Sequence, residues 1–143
     1  VLVNPSNSGN LGTIIRTMVG FGINDLVIIS PAVDIFDPKC IRASMGAIFH
    51  LNFQYYESFE DYYKENKMRN FYPFMLQASK SLFETKIISP FSLIFGNEAT
   101  GLDIRFLNYG QSVIIKHTNN IDSLNLPIAV SIGIYEATKD KFL

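Results

Sequence analysis

The chain has 143 residues, 48% of them hydrophobic and 13% aromatic, enough apolar matter for one domain with a buried core and too much for a disordered segment. Lys and Arg number 12 against 13 Asp and Glu, a net charge of −1, which excludes a polybasic nucleic-acid glove but not a small basic patch. A single cysteine, Cys40, and two distant histidines, His50 and His117, rule out an internal disulfide and a zinc-type ligand cluster, and no apolar run nears the ~18–20 residues of a membrane span.

In chain order, Val1-Leu2-Val3 is a short apolar run closed by the turn formers Asn4-Pro5-Ser6-Asn7. Leu11, Ile14, Ile15, Met18 and Val19 then recur at the spacing of one helical stripe, with Gly20 and Gly22 as a stop. Leu26 to Ile29 reads as a buried strand. Asp37-Pro38 opens a short helix that runs to Gly46, with Pro at its first position. Phe49 to Tyr56 is a strand, and Ser58 to Lys67 is a helix with acids early and lysines late, as a helix dipole favours. Strands follow at Phe71–Leu76, Ser92–Phe95 and Ser112–Ile115, and a final helix begins near Pro127 and runs toward Lys141. This alternation predicts an α/β fold with a mostly parallel sheet flanked by helices. No linker, repeat or composition shift divides residues 1–143, which read as a single domain. No basic and apolar leader precedes it, so a cytoplasmic location is expected. The start at Val1, directly in a strand-like run, leads us to expect that upstream residues are missing.

Three polar islands interrupt the apolar scaffold, each after a predicted strand, where open α/β sheets bind ligands. The first runs from Asn7 to Arg16. Asn10 stands where a helix cap would be, and Arg16 falls well over 100° from the apolar stripe at ~100° per residue, off the core face. Alone, the pair reads as a cap and a solvated charge. The second is Phe95-Gly96-Asn97-Glu98-Ala99-Thr100-Gly101-Leu102, two glycines bracketing an acid. It is an ordinary glycine turn or a place where backbone approaches a ligand, and it lacks the Lys-Ser/Thr of a phosphate loop. The third is Asp122-Ser123-Leu124-Asn125-Leu126-Pro127, where Ser123 and Asn125 either cap the following helix or face a ligand. That helix, with Ile128, Ala129, Val130, Ile132, Ile134 and Tyr135, is apolar on two sides, which a subunit interface would bury.

Taken together and in this order, the islands resemble the SpoU family of RNA ribose methyltransferases in the SPOUT superfamily. The first matches Asn-x-Gly-Asn followed by the arginine, from Asn7 to Arg16. The second matches Phe95-Gly96-Asn97-Glu98 with Gly101-Leu102. The third matches Ser123-Leu124-Asn125 with Ala129 and Tyr135-Glu136-Ala137 downstream. The resemblance covers essentially the whole chain. It implies a SPOUT-type fold with a C-terminal trefoil knot, which periodicity could not suggest because knots are nearly absent from proteins. It implies S-adenosyl-L-methionine as cofactor, held at Gly96, Ile115 and Leu124, and no metal. It implies Asn10, Arg16, Glu98, Ser123 and Asn125 as catalytic residues for methyl transfer to a ribose 2′-hydroxyl of tRNA or rRNA. A homodimer through the C-terminal and first helices is implied as well.

A guanidinium with a pKa above ~12 is a poor base, so Arg16 is expected to orient and activate the 2′-oxygen instead of deprotonating it, with the proton acceptor left open. Glu98 is expected to orient Arg16 or Asn10, or to bind the ribose. The chain departs from the family in carrying Ile115-Lys116-His117 where Ile-Pro-Met is usual, and in lacking the N-terminal extension that often binds RNA. Lys39, Arg42, Arg69, Lys80 and Lys86 are candidate phosphate contacts or plain solvated charges. Two other readings compete: a SPOUT-like RNA-binding protein without methyltransferase activity, and a flavodoxin-like nucleotide-binding protein. The second would need a phosphate loop that nothing between Asn4 and Asn10 specifies.

Overall fold

Alternation of side chains along the strands decides how the layers form. The computed structural model describes residues 1–142. Its regular elements are β1 (Leu2–Val3), α1 (Ser8–Gly20), β2 (Asp25–Ile29), α2 (Pro38–Ser44), β3 (Asn52–Tyr56), α3 (Phe59–Glu65), β4 (Asn70–Pro73), β5 (Phe91–Ile94) and α4 (Leu126–Thr138), with short 3-10 turns between some of them. In β2, Leu26 and Ile28 enter one apolar cluster with Leu11, Ile14, Ile15, Val130 and Ile134, while Ile29 and Val27 belong to a second with Phe59, Tyr62 and Phe106. In β4 and the residue that follows β5, Tyr72 and Phe95 join the first cluster and Phe71 the second. Two cores on opposite faces of one sheet follow, with α1 and α4 over the first and α3 over the second.

All strand pairings are parallel. β3, β2 and β1 form one ladder in that spatial order, and β4 pairs with β5 in another. Val3 N–H donates to the Phe95 carbonyl (2.8 Å) and Phe95 N–H to the Val1 carbonyl (2.9 Å), which joins the two ladders between β1 and β5.

The expected strand at Ser112–Ile115 is reduced to bridges at Val113 and Ile114. The reason lies in its partners. Val113 is bonded to Pro73 and Met75 on one side, and Ile114 to Lys80 and Leu82 on the other. This segment therefore runs between the end of β4 with Phe74 and Met75 on one side and Lys80–Leu82 on the other, paired to each by a single parallel bridge. Two further boundaries shift. β3 begins at Asn52, not Phe49, because Met45 and Gly46 turn left-handed (φ 51° and 83°) and a 3-10 turn, Ala47–His50, follows. The final helix ends at Thr138, with a 3-10 turn over Lys139–Phe142 in place of its last helical turn.

Helix α1 starts earlier than the apolar stripe indicates. Asn7, not Asn10, is its cap: the Asn7 side chain accepts a hydrogen bond from the Asn10 N–H at 2.9 Å. The first turn, Ser8-Gly9-Asn10, carries no apolar residue, so periodicity could not register it. The stripe itself is buried as expected, with Leu11, Ile14, Ile15 and Met18 in the core and Arg16 exposed. Helix α2 lies so close to α1 that a Cβ on Gly12 would sit 2.3 Å from the Cys40 carbonyl oxygen, so only glycine fits there. Cys40 is buried at this contact; burial, with Asp37 and Asp34 nearby, pushes its thiol up to about 11. Such a thiol behaves as a small apolar residue and not as a nucleophile.

Candidate active site

From β1 the chain crosses to β2 on one side, and from β5 it proceeds to the Val113 segment on the other. The strand order therefore reverses between β1 and β5, the place where a parallel sheet opens a crevice. The turn after β1 and the loop after β5 meet there. Glu98 accepts hydrogen bonds from the Ser6 N–H (3.0 Å), the Ser6 hydroxyl (3.0 Å) and the Asn7 N–H (2.9 Å). Its neighbour Asn97 donates to the Asn4 carbonyl (2.8 Å), and its side-chain oxygen accepts from the Ala99 N–H (2.8 Å). Asn4 sits at φ 57°, a left-handed conformation that asparagine tolerates, and its side chain donates to the Ile29 and Pro31 carbonyls. Partial burial alone would push the Glu98 carboxyl up, but the hydrogen bonds from Ser6 and Asn7 outweigh it and hold the group below the usual carboxylate range. At neutral pH Glu98 is an anion occupied by backbone donors.

This corrects the expectation that Glu98 orients Arg16 or Asn10 directly: its bonds go to the residues that cap α1. The expectation for Gly96 also changes. A Cβ there would stand 2.2 Å from the Gly101 carbonyl carbon, so glycine is demanded by closure of the loop on itself, with Gly101 in turn at φ 67°. Gly96 still lines the crevice.

The crevice is a cleft bounded by three stretches: Phe74–Gln77 after β4, Phe95–Leu102 after β5, and the returning segment with Ile114, Ile115, His117, Ser123, Leu124, Leu126 and Ala129. Gly96, Glu98, Ile115, Ser123 and Leu124 are thus brought together as expected. Asn10, Arg16 and Asn125 lie outside its walls. Among the described residues the Arg16 guanidinium, exposed on α1, makes no hydrogen bond or ion pair. Asn125 occupies the cap position of α4, yet its side chain makes no capping bond; only its carbonyl is used, by the Ala129 N–H. A purely capping role for Asn125 is therefore absent here. Among the candidate phosphate contacts, Arg69 is withdrawn: its guanidinium is partly buried and bonded to the Ser92 hydroxyl and the Phe91 carbonyl.

Four contributors carry no role in the sequence analysis. Ser6 and Asn97 act through long-range bonds that no local pattern encodes. The Phe74–Gln77 wall follows from the rule about strand ends already applied to the other strands. His117 was noticed only as a departure from a motif, whereas it lines the cleft.

Whether this cleft suits S-adenosylmethionine can be judged from its own groups. The backbone N–H and C=O of Ile115 and Leu124 take no hydrogen bond among the described residues, and both residues face the cleft. Free backbone donors and acceptors beside the apolar surfaces of Phe74, Ile115 and Leu126 match what an adenine with polar edges and apolar faces requires. No three-residue group of His, Cys, Asp or Glu that could hold a metal ion occurs among the described residues.

Comparison with known proteins agrees in sequence and in shape. Residues 1–135 match the SpoU rRNA Methylase family. An uncharacterized tRNA/rRNA methyltransferase of Synechocystis is 30% identical over 99% of this chain and 53% of its own length. A putative tRNA (cytidine(34)-2′-O)-methyltransferase of Geobacillus stearothermophilus is 30% identical over 99% of this chain and 93% of its own. The AdoMet-bound rRNA methyltransferase of Sinorhizobium meliloti superposes with a TM-score of 0.91 at 28% identity, over 97% of this chain and 54% of that one. The chain spans about half the length of several curated relatives that it matches.

Proposed function

This chain belongs to the SpoU rRNA methylase family, and from that premise we propose that it transfers a methyl group from S-adenosyl-L-methionine to a ribose 2′-hydroxyl of tRNA or rRNA. The observation that carries the reading is the junction at the switch point. There the cofactor-type cleft and the Arg16-bearing helix are tied into one unit by Glu98 and Asn97. Residues 1–143 act in it as one catalytic domain, with the segment through Val113 and Ile114 threaded as a trefoil knot. The reading puts the protein in the cytoplasm with its RNA.

Bound in the cleft, S-adenosylmethionine supplies an electrophilic methyl group. The chain's task is then alignment, which in favourable cases is worth roughly 7–11 kcal/mol of barrier. Gly96, Ile115 and Leu124 hold the cofactor through backbone contacts. The exposed, unpaired Arg16 presents a fork of donors that engages the substrate phosphate and the 2′-oxygen together, orienting the nucleophile and stabilising the charge that develops on it. Because the guanidinium keeps its own protons, another acceptor takes the hydroxyl proton. Glu98 fixes the turn that launches α1 and so sets where Arg16 points, as a positioning residue. Asn10, Ser123 and Asn125, neutral donors and acceptors, hold the ribose.

The outward face of α4 supports the homodimer. Ile128, Ile132 and Tyr135, spaced one face apart, are 50%, 38% and 57% exposed, beside the exposed side of α1. Light scattering at micromolar concentration should give about twice the 16.1 kDa of one chain, and Ile132→Glu should return it to one; a monomeric parent chain would refute the dimer. The activity itself is tested by mass mapping of ribose methylation in RNA from a deletion strain. Loss of a 2′-O-methyl mark in tRNA or rRNA, restored by the gene, is the expected result, and an unchanged methylation map would overturn the reading.

A further inference from the structure

Phe83 is 94% exposed, the most exposed large apolar side chain among the described residues. The backbone that carries it is nevertheless well held. Phe83 sits in a 3-10 turn, Leu82–Glu84, with Ser81, Leu82 and Thr85 buried around it. The Ser81 hydroxyl oxygen accepts from the Glu84 N–H (3.3 Å), and the Thr85 hydroxyl donates to the Ser81 carbonyl (2.8 Å). Exposed Phe36 and Phe53 cover each other edge to face at 5.7 Å, whereas Phe83 enters no aromatic pair among the described residues. A ring held still in water loses little further freedom when a flat partner stacks on it.

The turn is bonded to the cleft wall. The Ile114 N–H donates to the Lys80 carbonyl (2.9 Å) and the Leu82 N–H to the Ile114 carbonyl (2.9 Å), and the next residue, Ile115, lines the cleft. Leu76 and Gln77, earlier in the same connection, line it as well. Lys80 and Lys86 flank the turn in sequence, and Lys116 follows Ile115. All three are exposed, and none makes an ion pair or a side-chain hydrogen bond among the described residues. Glu84 is the one acid on the turn, so this face is positive on a chain whose net charge is −1. A bare ring among free ammonium groups matches a polymer of flat bases and phosphates. An acidic peptide would satisfy the lysines and leave the ring in water.

We propose that Phe83 is a base-stacking platform for the RNA substrate at the mouth of the cleft: a nucleobase flanking the methylated nucleotide stacks on its ring, while Lys80 and Lys116 hold the adjoining phosphates. The inference rests on the methyl transfer proposed above, which makes the bound strand an RNA. Stacking tolerates any base because every base has a π-face, and it needs an unpaired one, as in a loop. The platform therefore positions the acceptor nucleotide without reading its sequence. Lys116, where the family usually has proline, gains a role in it.

Fluorescence anisotropy tests this with a labelled single-stranded RNA of mixed sequence, about twelve nucleotides long, between about 50 and 200 mM salt. The parent chain is compared with Phe83→Ala, Phe83→Tyr, Lys80→Ala and Lys116→Ala. Circular dichroism and titration with S-adenosylmethionine should show the fold and the cofactor affinity unchanged in all four. Phe83→Ala should bind the RNA about tenfold more weakly with the salt slope of the parent, and Phe83→Tyr should stay within about twofold of the parent. Each lysine variant should flatten the slope of log affinity against log salt by about 0.7, the share of one phosphate on a single strand. Phe83→Ala that binds like the parent, or Phe83→Tyr no better than Phe83→Ala, overturns the inference and leaves the proposed function standing if the parent still methylates RNA. Phe83→Ala that changes the mass in light scattering but not the RNA affinity makes the face a protein contact and overturns it too. A parent chain that binds no single strand also overturns the inference, which calls for no particular sequence; if that chain methylates no tRNA or rRNA either, the proposed function fails with it.

Discussion

On one bank of the cleft the turn Asn4–Asn7 is bonded to the loop Gly96–Gly101 through both oxygens of Glu98 and the amide nitrogen of Asn97, whose amide oxygen accepts from Ala99 N–H within the loop. On the other bank, residues 116–125 have, among the described residues, only the His117 ring on the next carbonyl and the Asn125 carbonyl on Ala129. The first bank is built before any ligand arrives, since its polar groups already satisfy one another. The second leaves the side chains of Ser123 and Asn125 and the backbone of Ile115 and Leu124 without hydrogen-bond partners among the described residues. Under the proposed function, the same family motif set divides into a framework half and a recognition half. Substitutions should separate them by what they damage.

Arg16→Ala should have the largest effect, and only on chemistry. Methyl transfer to RNA should fall by about 10²–10³, the scale of losing a donor to developing charge, while stability stays within about ±0.5 kcal/mol. Arg16→Lys should restore little, since a point charge lacks the fork geometry. Steady-state kinetics together with chemical denaturation decide this, and an unfolded or fully active Arg16→Ala would be the wrong outcome.

Gly96→Ala strikes the framework bank. A methyl 2.2 Å from the Gly101 backbone must displace the loop, at about 1–3 kcal/mol of stability, read as a lower denaturation midpoint.

Glu98→Gln should cost less, about 1 kcal/mol, because the site is partly exposed. Its signature is in the pH dependence. The native carboxyl is held below its unfolded value, so its stabilisation is complete above the unfolded pKa of ~4.3 and is lost as pH falls through the native one. The parent should therefore melt above Glu98→Gln at about pH 6, and the two should converge near pH 3. A gap that persists in acid would contradict the role given to the carboxylate.

The smallest structural effect is expected on the recognition bank. Asn125→Ala, which removes no capping bond, should leave the midpoint within about ±0.5 kcal/mol and still slow methyl transfer.

The two banks were unequally legible in the sequence. The exposure of Arg16 followed from helical periodicity, because the buried stripe of α1 is local. The parallel sheet and the motif order were legible for the same reason. The start of α1 was not, since its first turn is polar, and neither was the short pairing at Val113–Ile114, whose partners, Phe74 and Ser81, are distant in sequence. The Glu98 bonds span over ninety residues of sequence, so no spacing rule reaches them, and Gly96 was assigned to ligand approach when its neighbour in space is Gly101.

The most direct test of the central claim is the chemical position of the transferred methyl. The chain is incubated with methyl-labelled S-adenosylmethionine and unmodified tRNA or rRNA, and the RNA is then hydrolysed in alkali, which needs a free 2′-hydroxyl to cleave the chain. The account predicts label in alkali-resistant dinucleotides, formed about 10²–10³ more slowly by Arg16→Ala. Label released in mononucleotides, as base methylation would give, or RNA that binds but never acquires label, would contradict it.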